Sequence, residues 1–320
     1  MGEIYSEIIG TGSYLPEKIL TNDDLSKMVD TSDEWIYTRT GIKQRHIAAD
    51  NEYTSDLSVN AIKNALDNAK ISAENVDLLI VATITPDLVF PSTSCIVQKK
   101  LGLKNAVAFD VSAACSGFVY GLTMADAMIK SGAYKTAVVV GAETLTRIMD
   151  WNDRTTCVLF GDGAGAAVLR ATTEQTGIMS YSIKTDGNYL DCLKATGGPS
   201  STKSSGNIFM EGKEVFKLAV SRMPEISKEV VAKAGKTMAD VDCFIPHQAN
   251  VRIIDAALKN LEIPEEKVVK TIETHGNISS ACIPLALDIA NKSGKLKKGQ
   301  TVLLTAMGAG FTWGSVFLKF

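Results

Sequence analysis

Apolar residues fall along this chain in two rhythms. Short unbroken runs, Val76 to Thr85, Ala106 to Val111, Tyr134 to Gly141, Val241 to Pro246 and Thr301 to Thr305, read as buried strands. Ile8 to Tyr14 reads as a strand ending in a turn at Pro16, and Val268 to Ile272 as a further strand. Elsewhere apolar positions recur at helical spacing. Leu57 to Ala69, Ser92 to Leu101, Phe118 to Ile129, Lys213 to Gly235, Gln248 to Leu261 and Ala281 to Ser293 predict helices, with a stop at Gly132 and a break near Pro224. Capping residues at Thr21–Asp24 and Thr31–Glu34 open two short helices. The glycines of Phe160-Gly161-Asp162-Gly163-Ala164-Gly165 precede an apolar run rather than a capped helix. They therefore predict a tight turn between strands, not a phosphate loop. Gly177 to Gly206, rich in Gly, Ser and Thr, reads as strands and exposed loops.

The pattern repeats. Asn75-Val76-Asp77-Leu78-Leu79-Ile80 resembles Asp240-Val241-Asp242-Cys243-Phe244-Ile245, and Thr136 to Val140 resembles Thr301 to Thr305, both at a shift of 165 residues. The same shift carries Cys115 onto Ser280. Two similar α/β halves bring strand-end loops from both into one cleft.

That cleft gives Cys115 its interest. It follows a strand and opens a helix, where unpaired N–H groups and the helix dipole favour an anion. A thiol so placed can have its pKa drawn below the ordinary value of about 8.5 and act as a nucleophile. Taken alone, a cysteine is more often a small buried thiol. His247, Asn277 and the Gly308-Ala309-Gly310 turn, however, all stand at strand ends of the second half, where pseudo-symmetry sets them against Cys115.

Bulk composition narrows the class. The 320 residues suffice for a large core, and 45% hydrophobic with 22% charged residues suits an ordinary globular protein. A net charge of −3 gives no reason to expect nucleic acid or a membrane surface. No apolar run reaches a membrane span of about 18 residues, and no signal peptide is expected. The six cysteines form no C-x-x-C pair, which predicts free thiols in a reducing, cytoplasmic setting.

The chain resembles the 3-oxoacyl-(acyl-carrier-protein) synthase III family over essentially its whole length. The resemblance is carried by Gly10-Thr11-Gly12-Ser13-Tyr14-Leu15-Pro16, Asp33-Glu34-Trp35, Arg39-Thr40-Gly41-Ile42, Cys115-Ser116-Gly117-Phe118 and Phe160 to Gly165. Pro246-His247-Gln248-Ala249-Asn250, His275-Gly276-Asn277 and Gly310-Phe311-Thr312-Trp313-Gly314 complete it. It implies a thiolase-like α/β fold, with duplicated halves at 1–172 and 173–320 stacked as five α-β-α-β-α layers. It implies decarboxylative condensation of an acyl-coenzyme A, expected to be acetyl-coenzyme A, with malonyl-acyl carrier protein, and no metal or organic cofactor.

Residue by residue, the resemblance makes Cys115 the acylated nucleophile and His247 and Asn277 the hydrogen-bond donors to the malonyl thioester. The N–H groups of Cys115 and Ala309 form the oxyanion hole; Ala309 stands where the family often has glycine. Thr31, Trp35, Arg39, Arg154, Gly212, Phe216 and Asn250 line the coenzyme A channel. Lys217, Arg252 and Lys259 face the acidic carrier protein. Phe90, in the loop between Pro86 and Pro91, crosses a homodimer interface to close a short acyl pocket. A ketosynthase or acyltransferase of secondary metabolism, and an inactive binding paralogue, are the competing readings.

Overall fold

The computed structural model describes residues 3–320. The first half contains β1 (Tyr5–Tyr14), α1 (Thr54–Ala69), β2 (Leu78–Ala82), α2 (Thr93–Leu101), β3 (Val107–Val111), α3 (Gly117–Lys130), β4 (Thr136–Thr144) and β5 (Asp162–Thr172). The second contains β6 (Gly177–Thr185), α4 (Gly212–Lys233), β7 (Cys243–Pro246), α5 (Val251–Leu261), α6 (Cys282–Lys292), β8 (Thr301–Gly308) and β9 (Thr312–Lys319).

One sheet has the order β1-β5-β4-β2-β3 and the other β6-β9-β8-β7. The two share a plan. In the first, β2 runs parallel to β4 with Leu78 opposite Ala137; in the second, β7 runs parallel to β8 with Cys243 opposite Val302. Each residue of the second pair lies 165 positions beyond its counterpart. The sequence repeat is therefore a repeat of strand register.

The inner helices α3 and α6 lie between the sheets, where Phe118, Leu122, Ile283 and Leu287 pack with Ile80, Val139, Leu304 and Val316. Helices α1 and α2 cover the outer face of the first sheet, and α4 and α5 that of the second. The result is the expected five-layered thiolase-like stack. Strand β4 is buried along its whole length, as its valine run predicts.

Four local expectations fail for physical reasons. The Phe160–Gly165 segment is not a turn between strands: Asp162 already begins β5, which runs straight through the glycines. A Cβ at Gly165 would stand 2.5 Å from the Leu285 nitrogen, so the glycine admits the start of α6. Helix α4 does not break at Pro224. A mid-helix proline costs about 3 kcal/mol, which the buried face of Val215, Leu218, Ala219, Met223, Ile226 and Val230 outweighs. Val268 to Ile272 forms no full strand: Val268 makes a single bridge to Phe244, and Ile272–His275 is one helical turn. Strand β3 is an edge strand, half-exposed with Val107 on the surface, rather than buried.

Candidate active site

Both inner helices begin in the same unusual way. A 3₁₀ turn, Ala114–Ser116, precedes α3, and its counterpart Ser279–Ala281 precedes α6. Ala114 has φ +46° and Ser279 φ +47°. A left-handed backbone at a residue with a Cβ costs about 1–2 kcal/mol, and such strain gathers at functional sites. Cys115 follows the first kink. The two helix starts nearly touch: a Cβ at Gly117 would lie 3.4 Å from Ser280 Cβ. The end of β8 comes equally close, since a Cβ at Gly308 would stand 2.6 Å from the Cys115 nitrogen. Ala309 follows, at the turn into β9.

His247 leaves the end of β7, its N–H donating to Thr305 O at 2.8 Å. Asn277 is fixed by its backbone to the first half: its N–H donates to Leu159 O at 2.9 Å and its carbonyl accepts from Gly161 N at 3.0 Å. Gln248 ties the two segments together. Its Nε2 donates to Pro246 O and Val269 O, and its Oε1 accepts from Thr271 N and Ile272 N. In the sequence Gln248 is only one member of the Pro246–Asn250 motif; in the fold it is a fully satisfied brace.

These segments meet at a cavity of about 120 Å³ lined by Cys115, His247 and Asn277. Its walls are apolar, from Leu159, Met210, Val215, Ile253 and Met307, and Phe216, Gly212 and Asn250 lead toward the surface. Asn277 Oδ1 accepts from Ser279 N at 2.9 Å and from the Cys282 thiol at 3.7 Å. Its amide orientation is thereby set, leaving Nδ2 as the donor available to a ligand. His247 is 1% exposed, and its Nδ1 is sealed in without a partner. Nε2 is the ring nitrogen left for the cavity. Burial pushes the imidazole pKa down to about 3, so the ring is neutral at pH 7.

The Cys115 thiol departs from expectation. Burial pushes its pKa up to about 12; the nearby Ser279 hydroxyl opposes the rise, although it makes no hydrogen bond of regular geometry, and a charge on Glu143 would add to it. A helix N-terminus supplies up to about 2 kcal/mol in favourable partly buried sites. The climb from 9.0 to about 12 corresponds to about 4 kcal/mol at 1.36 kcal/mol per pH unit. Burial wins, and the resting thiol is protonated.

The other predicted residues divide into groups. Trp35, on the helix Asp33–Thr40 capped by Ser32, carries Arg39 at 4.6 Å and Arg154 at 5.3 Å from its ring centroid. Arg154 also holds Asp30, and Asn250 Nδ2 donates to Arg39 O at 3.0 Å, linking this cluster to the cavity mouth. Thr31 Oγ1 is buried and unpaired beside it in sequence. Lys217 and Arg252 are exposed on α4 and α5. Lys259 shares its surface hollow with Asp255, Glu262 and Glu265, of which Asp255 and Glu265 pair with Lys270, a setting mixed in charge rather than the expected basic patch. Phe90 is 83% exposed beside Leu88 and Val89 and does not line the cavity of its own chain.

A cysteine at the start of an inner helix, faced by a histidine and an asparagine from the duplicate half in a thiolase-like stack, defines a condensing acyltransferase. Family models bear this out: 3-oxoacyl-(acyl-carrier-protein (ACP)) synthase III matches residues 109–187 and its C-terminal model residues 231–320. The beta-ketoacyl-(acyl-carrier-protein) synthase III of Xanthomonas euvesicatoria is 54% identical, with 99% of each chain covered. The solved 3-oxoacyl-(acyl-carrier-protein) synthase III of Aquifex aeolicus has 50% identity and a TM-score of 0.94, covering 98% of this chain and 100% of that one. A priming beta-ketosynthase of a polyketide biosynthetic pathway has 35% identity and a TM-score of 0.95, covering 100% and 97%. This chain belongs to the beta-ketoacyl-(acyl-carrier-protein) synthase III family. Among the described residues no helix is long and apolar enough to cross a membrane.

Proposed function

We propose that the chain initiates fatty acid synthesis by condensing an acyl-coenzyme A primer with malonyl-acyl carrier protein through Cys115, His247 and Asn277. Cys115 Sγ attacks the primer thioester, and the oxyanion is held by the N–H groups of Cys115 and Ala309. The bond to coenzyme A then breaks, and coenzyme A leaves as the thiol, taking the proton that Cys115 gave up. Malonyl-acyl carrier protein enters next. His247 Nε2–H and Asn277 Nδ2–H donate to its thioester carbonyl, where charge collects as the carboxylate leaves as carbon dioxide. The resulting enolate carbon attacks the acyl group, and Cys115 departs and regains a proton.

The observation that carries this reading is the commitment of Asn277 Oδ1 to Ser279 N–H beside a neutral, buried His247. Two uncharged donors suit a carbonyl that turns into an enolate, and each is worth a few kcal/mol in a dry site. Intact-mass analysis after mixing with acetyl-coenzyme A, followed by addition of malonyl-acyl carrier protein, tests it. The expected result is an acetyl adduct on Cys115 that disappears as 3-oxoacyl product forms. His247→Ala and Asn277→Ala are expected to acylate yet fail to decarboxylate; unchanged decarboxylation in both would refute the roles.

Around this centre, Trp35 with Arg39 and Arg154 suits a nucleotide base, because guanidinium and indole planes stack on flat rings. A base entering between Trp35 and Arg154 displaces Arg154 from the indole. Thr31, Gly212, Phe216 and Asn250 are read as the pantetheine passage. Lys217 and Arg252, exposed and each next in sequence to a cavity-lining residue, are read as the carrier-protein contact; Lys259 contributes less, given its acidic neighbours. The exposed Leu88-Val89-Phe90 loop and the half-exposed edge strand β3 support a homodimer in which Phe90 closes the partner's acyl pocket. The free thiols support a cytoplasmic setting. The likeness to a priming ketosynthase keeps secondary metabolism as a second reading, which a panel of primers and carrier proteins separates.

A further inference from the structure

The duplication gives the active centre a counterpart. At the shift of 165 residues, Cys115, His247 and Gly308 correspond to Ser280, Ala82 and Glu143. These three meet as well: Ser280 Oγ lies 2.9 Å from Ala82 O and 2.9 Å from Glu143 Oε1. Glu143 is wholly buried. Its Oε2 accepts from Thr83 Oγ1 at 3.2 Å, Ile84 N at 3.1 Å and Thr85 Oγ1 at 2.7 Å. No lysine, arginine or histidine among the described residues donates to it. The titratable groups that a charge there would reach are the thiols of Cys115 and Cys282.

An ionised Glu143 would be a wholly buried charge with no cation beside it. Oε2 takes three donors, which satisfies it in either protonation state. Oε1 is met by Ser280, whose single hydroxyl proton is also placed to serve Ala82 O, while the buried Ser279 hydroxyl lies nearby without a hydrogen bond of regular geometry. A proton on Oε1 resolves the conflict: Glu143 donates to Ser280 Oγ, and Ser280 donates to Ala82 O. We infer that Glu143 is a neutral carboxylic acid that clamps the Asn277–Ser280 turn to the first half, a positioning residue for the condensation. Its neutrality also keeps a negative charge away from Cys115, where a thiolate must form. This inference rests on the proposed roles of Cys115 and Asn277 only for its kinetic consequence; the protonation state stands apart from them.

Infrared difference spectroscopy at pH 7.5 tests the protonation state. Wild type minus Glu143→Gln is expected to show a protonated-carboxyl C=O band. Wild type minus Ser280→Ala is expected to show the same band as a shifted pair, because its hydrogen bond is lost, and this readout does not depend on Glu143→Gln folding. No such band in either spectrum overturns the inference, whatever the fate of the catalytic reading. Glutamine can donate to Ser280 and accept from Thr83, Ile84 and Thr85. Glu143→Gln is therefore expected to keep kcat/KM within about threefold, whereas Glu143→Ala loses about tenfold or more. Equal activity in both removes the positioning role. Removing a real charge would ease ionisation of Cys115, so a Glu143→Gln alkylation profile displaced toward lower pH overturns the neutral assignment.

Discussion

The sharpest expectation concerns the reactivity of Cys115 as pH is raised. With a pKa pushed to about 12, roughly 3 in 100,000 thiols are ionised at pH 7.5, against about 3 in 100 for a thiol at 9.0. Allowing the start of α3 its full helix-dipole effect of about 2 kcal/mol raises the buried fraction to about 1 in 1,000. The expected handicap is thus about 30-fold to 1,000-fold. Iodoacetamide labelling from pH 6 to 10, followed peptide by peptide with mass spectrometry, measures it directly. The exposed Cys95 serves as an internal reference. Restricted access through the cavity lowers the Cys115 rate at every pH but does not bend the profile.

The Cys115 rate should climb about tenfold per pH unit to the end of the range. A plateau at or below pH 8 would refute the reasoning and show that the helix start outweighs burial. The same displacement sets the upper limit of the experiment. Unfolded thiols lose protons near pH 9, whereas folded ones hold them to about 12 at Cys115 and about 11 at Cys157 and Cys243. Stability is therefore intact below pH 9 and declines above it, by at most about 1.4 kcal/mol per pH unit per buried thiol.

Three further outcomes follow from the geometry. Gly308→Ala would put a Cβ 2.6 Å from the Cys115 nitrogen and 3.1 Å from its Cβ; it should slow acylation by about 100-fold and lower the melting temperature, and an unaltered acylation rate would contradict the close approach. On the acid side, unfolded His247 takes a proton below about pH 6.5, whereas the folded ring stays neutral to about 3. Its contribution is complete above pH 6.5 and fades toward pH 3, at about 1.4 kcal/mol per unit; denaturant titrations of wild type and His247→Gln should diverge by that slope. Phe90 should shorten the acyl pocket in the proposed dimer, so acetyl-coenzyme A should turn over faster than isobutyryl-coenzyme A; comparable rates would refute that role.

Much of this architecture was legible in the chain. The shift of 165 residues survives as strand register in β2–β4 and β7–β8, and as paired left-handed residues at Ala114 and Ser279. Cys115, His247 and Asn277 meet because the repeat puts their strand ends together. The failures lie where local pattern and tertiary packing disagree. Pro224 should break a helix, but a sheet holds that helix down. The glycines of β5 look like a turn because nothing local announces that α6 must pass within touching distance of Gly165. Sequence position favours a thiolate at Cys115 because helix position is a local property, whereas the burial that opposes it comes in part from Gly308, Asn277 and Met307 of the other half. Glu143 gave no signal, since a carboxylate ending an apolar run reads as a solvated strand end.

The duplication also explains why one centre is open and its counterpart closed. Each inner helix begins against the sheet of the opposite half, so each start is both a possible site and part of the joint. At Cys115 the facing position is Gly308, whose missing side chain lets the strand end approach the thiol-bearing residue while His247 and Asn277 border open space. At Ser280 the facing position is Glu143, whose side chain fills the space and joins Ser280 to Thr83, Ile84 and Thr85. Gly141 lets the Ser280 carbonyl approach so closely that a Cβ there would stand 2.3 Å from it. Opening both centres would remove polar ties from both sides of the joint, and Asn277 would lose the anchor three residues downstream that fixes its turn. The closed copy thus braces the open one: the contacts of Ser280 with Ala82 and Glu143 hold the turn that carries Asn277.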